Sequence, residues 1–148
     1  MAALPMLSDI AHKKAAEQTN SCGEQMKVLR HSIELYLLEH ENTFPNAATW
    51  LDDIMPTLPS VKPFVCPAER GGSQRCSYAF NAKLSGLKKD EINSDTVMIF
   101  ECRDGWNVSG SARDLISRHK NTYVVVFVGL DQMKWIPKSG LSQLRWDP

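Results

Sequence analysis

The most regular hydrophobic pattern in the chain is a helical stripe within residues 21–40. Its apolar residues follow one another in steps of four and three, which places them on one face of an α-helix. They are Cys22, Met26, Leu29, Ile33, Tyr36, Leu37 and Leu38. Most charged residues of this stretch fall off the stripe, and no proline interrupts it. The pattern predicts an amphipathic helix whose apolar face needs a second layer of structure to cover it.

The apolar edge continues towards the N-terminus through Leu4, Leu7 and Ile10, with Pro5 near the predicted first turn. We therefore expect one long helix over residues 1–41. The opening MAALPMLSDIA resembles the end of an apolar helix, although the chain has no run of about 18 apolar residues that would span a membrane. We expect a further apolar segment before it in the native protein.

Residues 42–95 predict a mixed region of short helix and loop. Asn46 or Thr49 is a suitable N-cap for a short helix over ATWLDDIMPTL. Its inward residues are predicted to be Trp50, Leu51, Ile54 and Leu58. Residues 61–66 suit an edge strand or an extended loop, and residues 69–73 suit a turn. The segment between Cys66 and Cys76 is then a hairpin-like excursion.

Strand patterns dominate the second half of the chain. Residues 76–81 alternate, residues 96–102 form a β-rich run, and Asp104-Gly105 predicts the turn after it. Residues 123–128 are apolar on both faces, which is typical of an interior strand, and residues 133–136 predict its hairpin partner. We expect a small antiparallel sheet over residues 96–137, a tail over 138–148, and a single α+β domain over 1–148.

Composition narrows the function classes. The 148 residues carry no formal net charge, and the basic residues are scattered rather than striped, so we expect no nucleic-acid partner. A hydrophobic content of 43% is ordinary for a folded domain. The sequence has no Gly-rich phosphate loop, nucleophile elbow or His-Glu-x-x-His motif, which argues against an enzyme.

The cysteines predict disulfides. Cys22, Cys66, Cys76 and Cys102 give an even number in a small domain, without the close spacing of a zinc knuckle. We expect two disulfides, an oxidising compartment and no metal site. One possible pairing joins Cys66 to Cys76 across the excursion and Cys22 to Cys102. In the other, Cys22 pairs with Cys66. The alternative is a set of buried free thiols.

The residue types present also allow three other chemistries. Cys102 and His119, with Asp104 or Asp131, would make a Cys–His catalytic pair. Calcium would need Glu101, Asp104 and Asp131 near loop tips, but no Asp-x-Asp-x-Asp-Gly loop is present. Trp106, Trp135 and Trp146 would serve as aromatic platforms for a ligand. We expect core or surface roles for these residues, and no cofactor.

The order of motifs along the chain resembles bacterial type IV pilin-like proteins and type II secretion pseudopilins, in the group named for a His-x9-Asp-Gly motif. The resemblance covers most of the chain. It includes ALPMLSDIAHKKA, the stretch from Ser21-Cys22 to Tyr36, Phe44-Pro45, Trp50, Phe64-Val65-Cys66-Pro67, Ser77-Tyr78, Asn81, Leu84, Arg118-His119, Phe127 and Lys134-Trp135. Where the family motif has Asp-Gly after His119, this chain has Gly129-Leu130, followed by Asp131.

The resemblance implies a pilin-like fold, with a long N-terminal helix packed on a small antiparallel sheet. It implies structural roles for Tyr36, Tyr78, Asn81 and Trp135, and a His119–Asp131 contact across the hairpin. Its implied function is that of a non-enzymatic filament subunit, anchored in the inner membrane, with a periplasmic or extracellular domain. The partners would be other pilin or pseudopilin subunits, bound through the N-terminal helix. The alternative is an extracytoplasmic, disulfide-containing module that binds a ligand or a surface.

Overall fold

A computed structural model describes residues 7–58, 76–129 and 133–148, with the side chains of the first helix described from Cys22 onward. The predicted α+β class is confirmed, because a helix packs on one face of a five-stranded sheet. Within the described residues, we find no helix with the length and apolar character needed to cross a membrane. The segments predicted at residues 61–66 and 69–73 lie outside the described residues.

Helix α1 (Leu7–Glu39) buries the predicted stripe as far as Leu37. The prediction is wrong for Leu38, which is 78% exposed because it lies about 100° around the helix from Leu37. The side chains of Cys22, Met26, Leu29, Ile33 and Leu37 are all at most 1% exposed. Tyr36 is only half-buried, and its ring stacks on His40 at 3.7 Å between centroids.

The helix ends in a Schellman-type turn. The Asn42 N–H donates to the Leu37 carbonyl at 2.8 Å, and Glu41 takes a left-handed φ of 54°. This turn redirects the chain at the end of α1 towards the segment that follows the 3-10 turn Ala82–Leu84, where the Phe44 N–H donates to the Leu87 carbonyl.

Helix α2 (Trp50–Ile54) lies in the predicted short helical region. Asn46 caps the 3-10 turn before it, as one of the two predicted caps, by accepting a bond from the Ala48 N–H. Trp50, Leu51 and Ile54 are buried, and Leu58 is half-buried. A second cap comes from elsewhere in the chain.

That second cap is Asn107. Its side-chain oxygen accepts bonds from the backbone N–H groups of Leu51 and Asp52, at 2.9 and 3.1 Å. In return, the Asp52 carboxylate accepts bonds from the Asn107 amide and the Trp106 indole, at 2.6 and 2.8 Å. A left-handed φ of 53° at Asn107 aims its side chain at α2.

The sheet is mixed rather than purely antiparallel. Its strands are β1 (Cys76–Asn81), β2 (Val97–Gly105), β3 (Ser109–Gly110), β4 (Thr122–Phe127) and β5 (Met133–Pro137), in the order β3-β1-β2-β4-β5. Strand β3 runs parallel to β1, and the other pairs are antiparallel. The prediction of an antiparallel sheet is therefore wrong at this edge, while the interior position of β4 and its pairing with β5 are confirmed.

The predicted turn at Asp104-Gly105 is also wrong, because both residues belong to β2. Gly105 pairs with Cys76, and a Cβ at this glycine would collide with the Val108 side chain. The glycine thus serves close packing inside the strand rather than a turn after it.

Each sheet face has its own apolar cluster. The larger one includes Tyr78, Phe80 and Ile99 and packs under α1 and α2. The smaller one includes Phe100, Cys102 and Val125 and is covered partly by the C-terminal tail. The tail had no predicted structure, yet Trp146 packs edge-on against Phe100 at 4.9 Å between ring centroids.

Candidate functional site

Four ionisable residues are buried together near Cys22 of α1. We call Glu101, Asp104, Arg118 and His119 the buried charge cluster; their side chains are 0, 14, 5 and 7% exposed. Glu101 and Asp104 come from β2, and Arg118 and His119 come from the loop before β4. Charged side chains are almost never buried without partners, so this grouping is the most unusual chemistry in the described residues.

Arg118 links the two carboxylates. Its guanidinium lies 3.3 Å from Asp104 Oδ1 and 3.8 Å from Glu101 Oε2. Its backbone N–H donates to Glu101 Oε1 at 3.2 Å. Asp104 Oδ1 also accepts a bond from the Ser77 hydroxyl at 2.7 Å. Arg118 therefore contacts both carboxylates and offsets part of their negative charge within the cluster.

A tight loop holds Arg118 and His119 in place. The Ser117 hydroxyl donates to the Thr122 carbonyl at 2.8 Å, and the Thr122 N–H donates to the His119 carbonyl at 3.3 Å. Between them, Lys120 and Asn121 take left-handed φ values of 51° and 63°. This conformation turns the chain sharply enough to place both side chains beneath the helix.

His119 contacts Glu101 and Trp135. Its Nε2 atom lies 3.4 Å from Glu101 Oε2, and its ring meets Trp135 edge-on at 5.4 Å between centroids. Burial lowers the pKa of His119, and the positive charge of Arg118 lowers it further. Both effects favour the neutral imidazole beside the Glu101 carboxylate.

Helix α1 is joined to this region at Cys22 and Gln25. The Tyr78 hydroxyl bonds to Gln25 Oε1 at 2.9 Å and to the Cys22 carbonyl at 3.3 Å. Burial raises the pKa of Tyr78, and the charge of Glu101 raises it further, so the phenol stays protonated. Gly23 lets the helix approach β5, because a Cβ there would collide with the Met133 side chain.

The cysteine predictions are partly wrong. Cys22 is disulfide-bonded, whereas Cys76 and Cys102 are buried free thiols. Neither the Cys66–Cys76 bridge nor a Cys22–Cys102 bridge is therefore formed, and the partner of Cys22 is not among the described residues. Cys102 cannot meet Cys22, because it follows Glu101 on β2 and successive strand residues point to opposite faces.

Both free thiols have low reactivity. Burial raises the pKa of Cys76 and of Cys102 to about 12. The Cys76 thiol donates to the Tyr78 carbonyl, and the Cys102 thiol donates to the Arg103 carbonyl. They match the alternative in which buried cysteines pack as small hydrophobic residues.

The structure does not support the geometry expected for the Cys102–His119 catalytic pair or for the calcium site. His119 contacts Glu101, and Cys102 lies on the opposite sheet face, so these residues do not form a catalytic pair. For calcium, Glu101 and Asp104 already share Arg118. Asp131, the third expected ligand and the expected partner of His119, lies outside the described residues.

The tryptophans are anchored rather than presented as an open platform. Trp106 and Trp135 pack against the larger cluster and Trp146 against the smaller one. Asn81 has a structural role beyond the predicted turn. Its buried amide donates to the carbonyls of Val97 and Trp146, at 2.8 and 2.9 Å, and its oxygen accepts from the Lys83 N–H at 3.1 Å.

A basic cleft on the flank of α1 was not predicted from the sequence. This cleft of about 540 Å³ is lined by Lys27, Arg30, His31, Glu34, Lys89 and Gly129. Glu34 is shared by Lys89 at 2.9 Å and Arg30 at 3.7 Å, and Lys27 pairs with Glu24 at 3.2 Å. The helical spacing of Lys27, Arg30, His31 and Glu34 was visible in the sequence, but the approach of Lys89 was not.

The buried charge cluster was also only partly visible. His119, Tyr78 and Trp135 were expected to have structural roles, and the structure brings all three to the same region. The pairing of Glu101 with Arg118 was not predicted, although a glutamate between apolar strand residues was the available signal.

The chain was compared with protein-family models, curated proteins and solved structures. No family model, no curated protein and no solved structure matches it.

Proposed function

We propose that this protein is a non-enzymatic structural or assembly subunit of a type IV pilus-like or type II secretion-like filament. The observation that supports this most is the layout of α1 (Leu7–Glu39). Its apolar stripe from Cys22 to Leu37 packs on the sheet, as the soluble half of a pilin helix does. In this proposal, the part of α1 before Cys22 belongs to a long N-terminal helix that packs with other subunits.

The outward flank of α1 supports contacts with neighbouring subunits. Lys27 and His31 are exposed on it, and Leu38 is 78% exposed near its end. The sheet does not use these side chains, so they are available to a partner. The proposal places the native protein in the inner membrane through an N-terminal apolar segment, with this domain in the periplasm or outside the cell.

The buried charge cluster supports a structural role. Glu101 and Asp104 are engaged with Arg118, and Glu101 also contacts His119. This pairing joins β2 to the loop before β4, close to Cys22 of α1. Such a cluster fixes the loop before β4 against β2, which is a structural role.

Photo-crosslinking in the native bacterium tests the proposal. A benzoylphenylalanine placed at His31, on the exposed flank of α1, should crosslink the full-length protein to a second copy or a related subunit. The products should be found in the cell envelope and in sheared filaments. The matched control is the same probe at Lys83, an exposed position after β1 and away from the helix, which should crosslink much less.

Two outcomes would overturn this function. One is an uncrosslinked protein at both positions in every fraction. The other is a protein that remains entirely in the cytoplasm, since a pilus-like subunit must reach the envelope.

A second candidate function is an extracytoplasmic, disulfide-containing module that binds an acidic ligand or surface. The basic cleft favours it, because Lys27, Arg30 and Lys89 outnumber Glu34 along its walls. An NMR titration with an oligoglutamate peptide tests it. Shifts should concentrate at the cleft and weaken in Lys89→Gln but not in the control Lys83→Gln. No shift at the cleft rejects this function.

A further inference from the structure

We propose that Cys22, Glu101 and His119 form a binding site for a zinc-type divalent metal ion, which opens when the disulfide of Cys22 is reduced. The site is independent of the proposed filament function. It uses residues from three separate elements, namely α1, β2 and the loop before β4.

The three donor atoms already converge. The Cys22 sulfur, a Glu101 carboxylate oxygen and a His119 ring nitrogen all lie within 4.8 Å of one another. Ligands of a tetrahedral zinc ion, with bonds of about 2.0–2.3 Å, lie roughly 3.3–3.7 Å apart. The 3.4 Å separation of His119 Nε2 and Glu101 Oε2 already has this spacing. The Cys22 sulfur lies within 4.8 Å of both other donor atoms, so a small adjustment brings the three to zinc-ligand spacing.

The donor types suit a borderline metal ion. One sulfur, one imidazole nitrogen and one carboxylate oxygen match the ligands that zinc takes in proteins, and a water would complete four-coordination. The thiolate and the carboxylate together balance the two positive charges of the ion. Arg118, which now lies near Glu101, keeps its 3.3 Å contact with Asp104 when the metal takes over Glu101.

The disulfide keeps this site closed. A cysteine in a disulfide has no thiolate to offer, so the oxidised protein presents only the Glu101–His119 pair to an ion. Reduction by a water-soluble phosphine adds two electrons to the disulfide and, with one water, yields two thiols and the phosphine oxide. Metal binding then releases the Cys22 thiol proton to solvent, and the imidazole takes the tautomer with its proton on Nδ1, so that Nε2 is free to bind the metal.

Cobalt(II) is the probe for the test. Full-length protein is reduced with a phosphine, desalted without oxygen and titrated with Co²⁺, because cobalt absorbs visibly where zinc is silent. We expect tetrahedral cobalt bands and a thiolate-to-cobalt charge-transfer band in the reduced protein alone. Zinc should bleach these bands, and zinc should also raise the Tm of the reduced protein.

Variants assign the ligands. Cys22→Ser should remove the charge-transfer band, and His119→Gln should weaken cobalt binding by at least about 100-fold, since loss of even an outer-shell partner costs 10–100-fold. The matched controls are His31→Gln, an exposed histidine on the same helix, and Cys102→Ser, a buried thiol on the other sheet face. Both should bind cobalt as the unmodified protein does.

Circular dichroism on every sample keeps the test decisive. A reduced protein that has lost its helix and sheet would overturn the site, because the three donors meet only in the folded domain. So would folded, reduced protein without a charge-transfer band. Equal cobalt binding before and after reduction, or binding unchanged in both Cys22→Ser and His119→Gln, would also overturn it.

Discussion

Asn81 shows how a single buried amide can join distant parts of this chain. Its donated bonds reach Val97 at the start of β2 and Trp146 in the tail, and its oxygen caps the turn at Lys83. The sequence predicted a turn role for it, which accounts for the Lys83 bond. The other two bonds depend on how β2 and the tail fold back, which no local pattern encodes.

Replacing Asn81 with alanine should therefore be costly. We expect Asn81→Ala to lower the free energy of unfolding by about 2–4 kcal/mol, because it leaves two carbonyl groups without their donors. Urea unfolding measures this difference. Asn93→Ala is the control, since Asn93 is exposed, and it should change stability by less than about 0.5 kcal/mol. Equal effects of the two substitutions would contradict the role of Asn81.

Asp52 gives a residue-scale prediction about pH. Hydrogen bonds from Trp106 and then Asn107 lower the pKa of Asp52 below its ordinary 3.8. The unfolded carboxyl thus binds its proton at a higher pH than the folded one. The stabilisation is complete above the unfolded pKa and is lost as the pH falls through the folded pKa.

The Trp106 indole N–H signal in NMR should report this titration. We expect its shift to change with a midpoint below pH 3.8, as the Asp52 carboxylate becomes protonated. Asp52→Asn keeps a hydrogen-bond acceptor but removes the titration, so its Trp106 signal should stay constant over the same range. A Trp106 signal that moves equally in both proteins would show that another group is responsible.

At the level of elements, regular hydrophobic patterns predicted more than the turn residues did. The stripe of α1 and the β-rich runs of β1, β2, β4 and β5 all correspond to observed elements. Strand β3 was missed because it has only two residues and exists through its pairing with β1. Asp104-Gly105 was misplaced because a glycine needed for close packing has the same sequence signature as a turn.

The apolar stripe of α1 gives the prediction that belongs to this scale. Ile33 is fully buried on the stripe, whereas Leu38 is 78% exposed one turn further along. We expect Ile33→Ala to lower the free energy of unfolding by about 2–5 kcal/mol, and Leu38→Ala to have little effect. Thermal and urea unfolding of the two variants measure the contrast. A loss below about 1 kcal/mol for Ile33→Ala would refute the packing of α1 on the sheet.

At the scale of the whole molecule, the candidate site depended on topology that the sequence did not show. Tyr78, His119 and Trp135 were all identified through the family resemblance. Their meeting with Glu101 and Arg118 requires β2, the loop before β4 and β5 to be neighbours. The cysteine pairing failed for a related reason, since strand alternation places Cys102 on the face away from α1.

Cysteine mapping checks this arrangement for the whole chain. Alkylation of unreduced protein in denaturant should label Cys76 and Cys102 but not Cys22. Alkylation of the native protein at pH 8 should be very slow at both free thiols, because burial raises their pKa to about 12. Peptide mapping by mass spectrometry reads out each position. Label on Cys22, or rapid native labelling of Cys102, would contradict the structure.

The attachment of α1 to Tyr78 at Cys22 and Gln25 has a mechanical consequence. A tensile force transmitted along α1 from its N-terminal side enters the domain at Cys22 and Gln25, where the Tyr78 hydroxyl bonds to the helix. The load is then spread sideways over the buried stripe, so that many contacts are sheared together instead of being peeled one at a time. Once the disulfide of Cys22 has been reduced, pulling on the helix should accordingly extend the domain abruptly, at a single rupture force, rather than by gradual detachment.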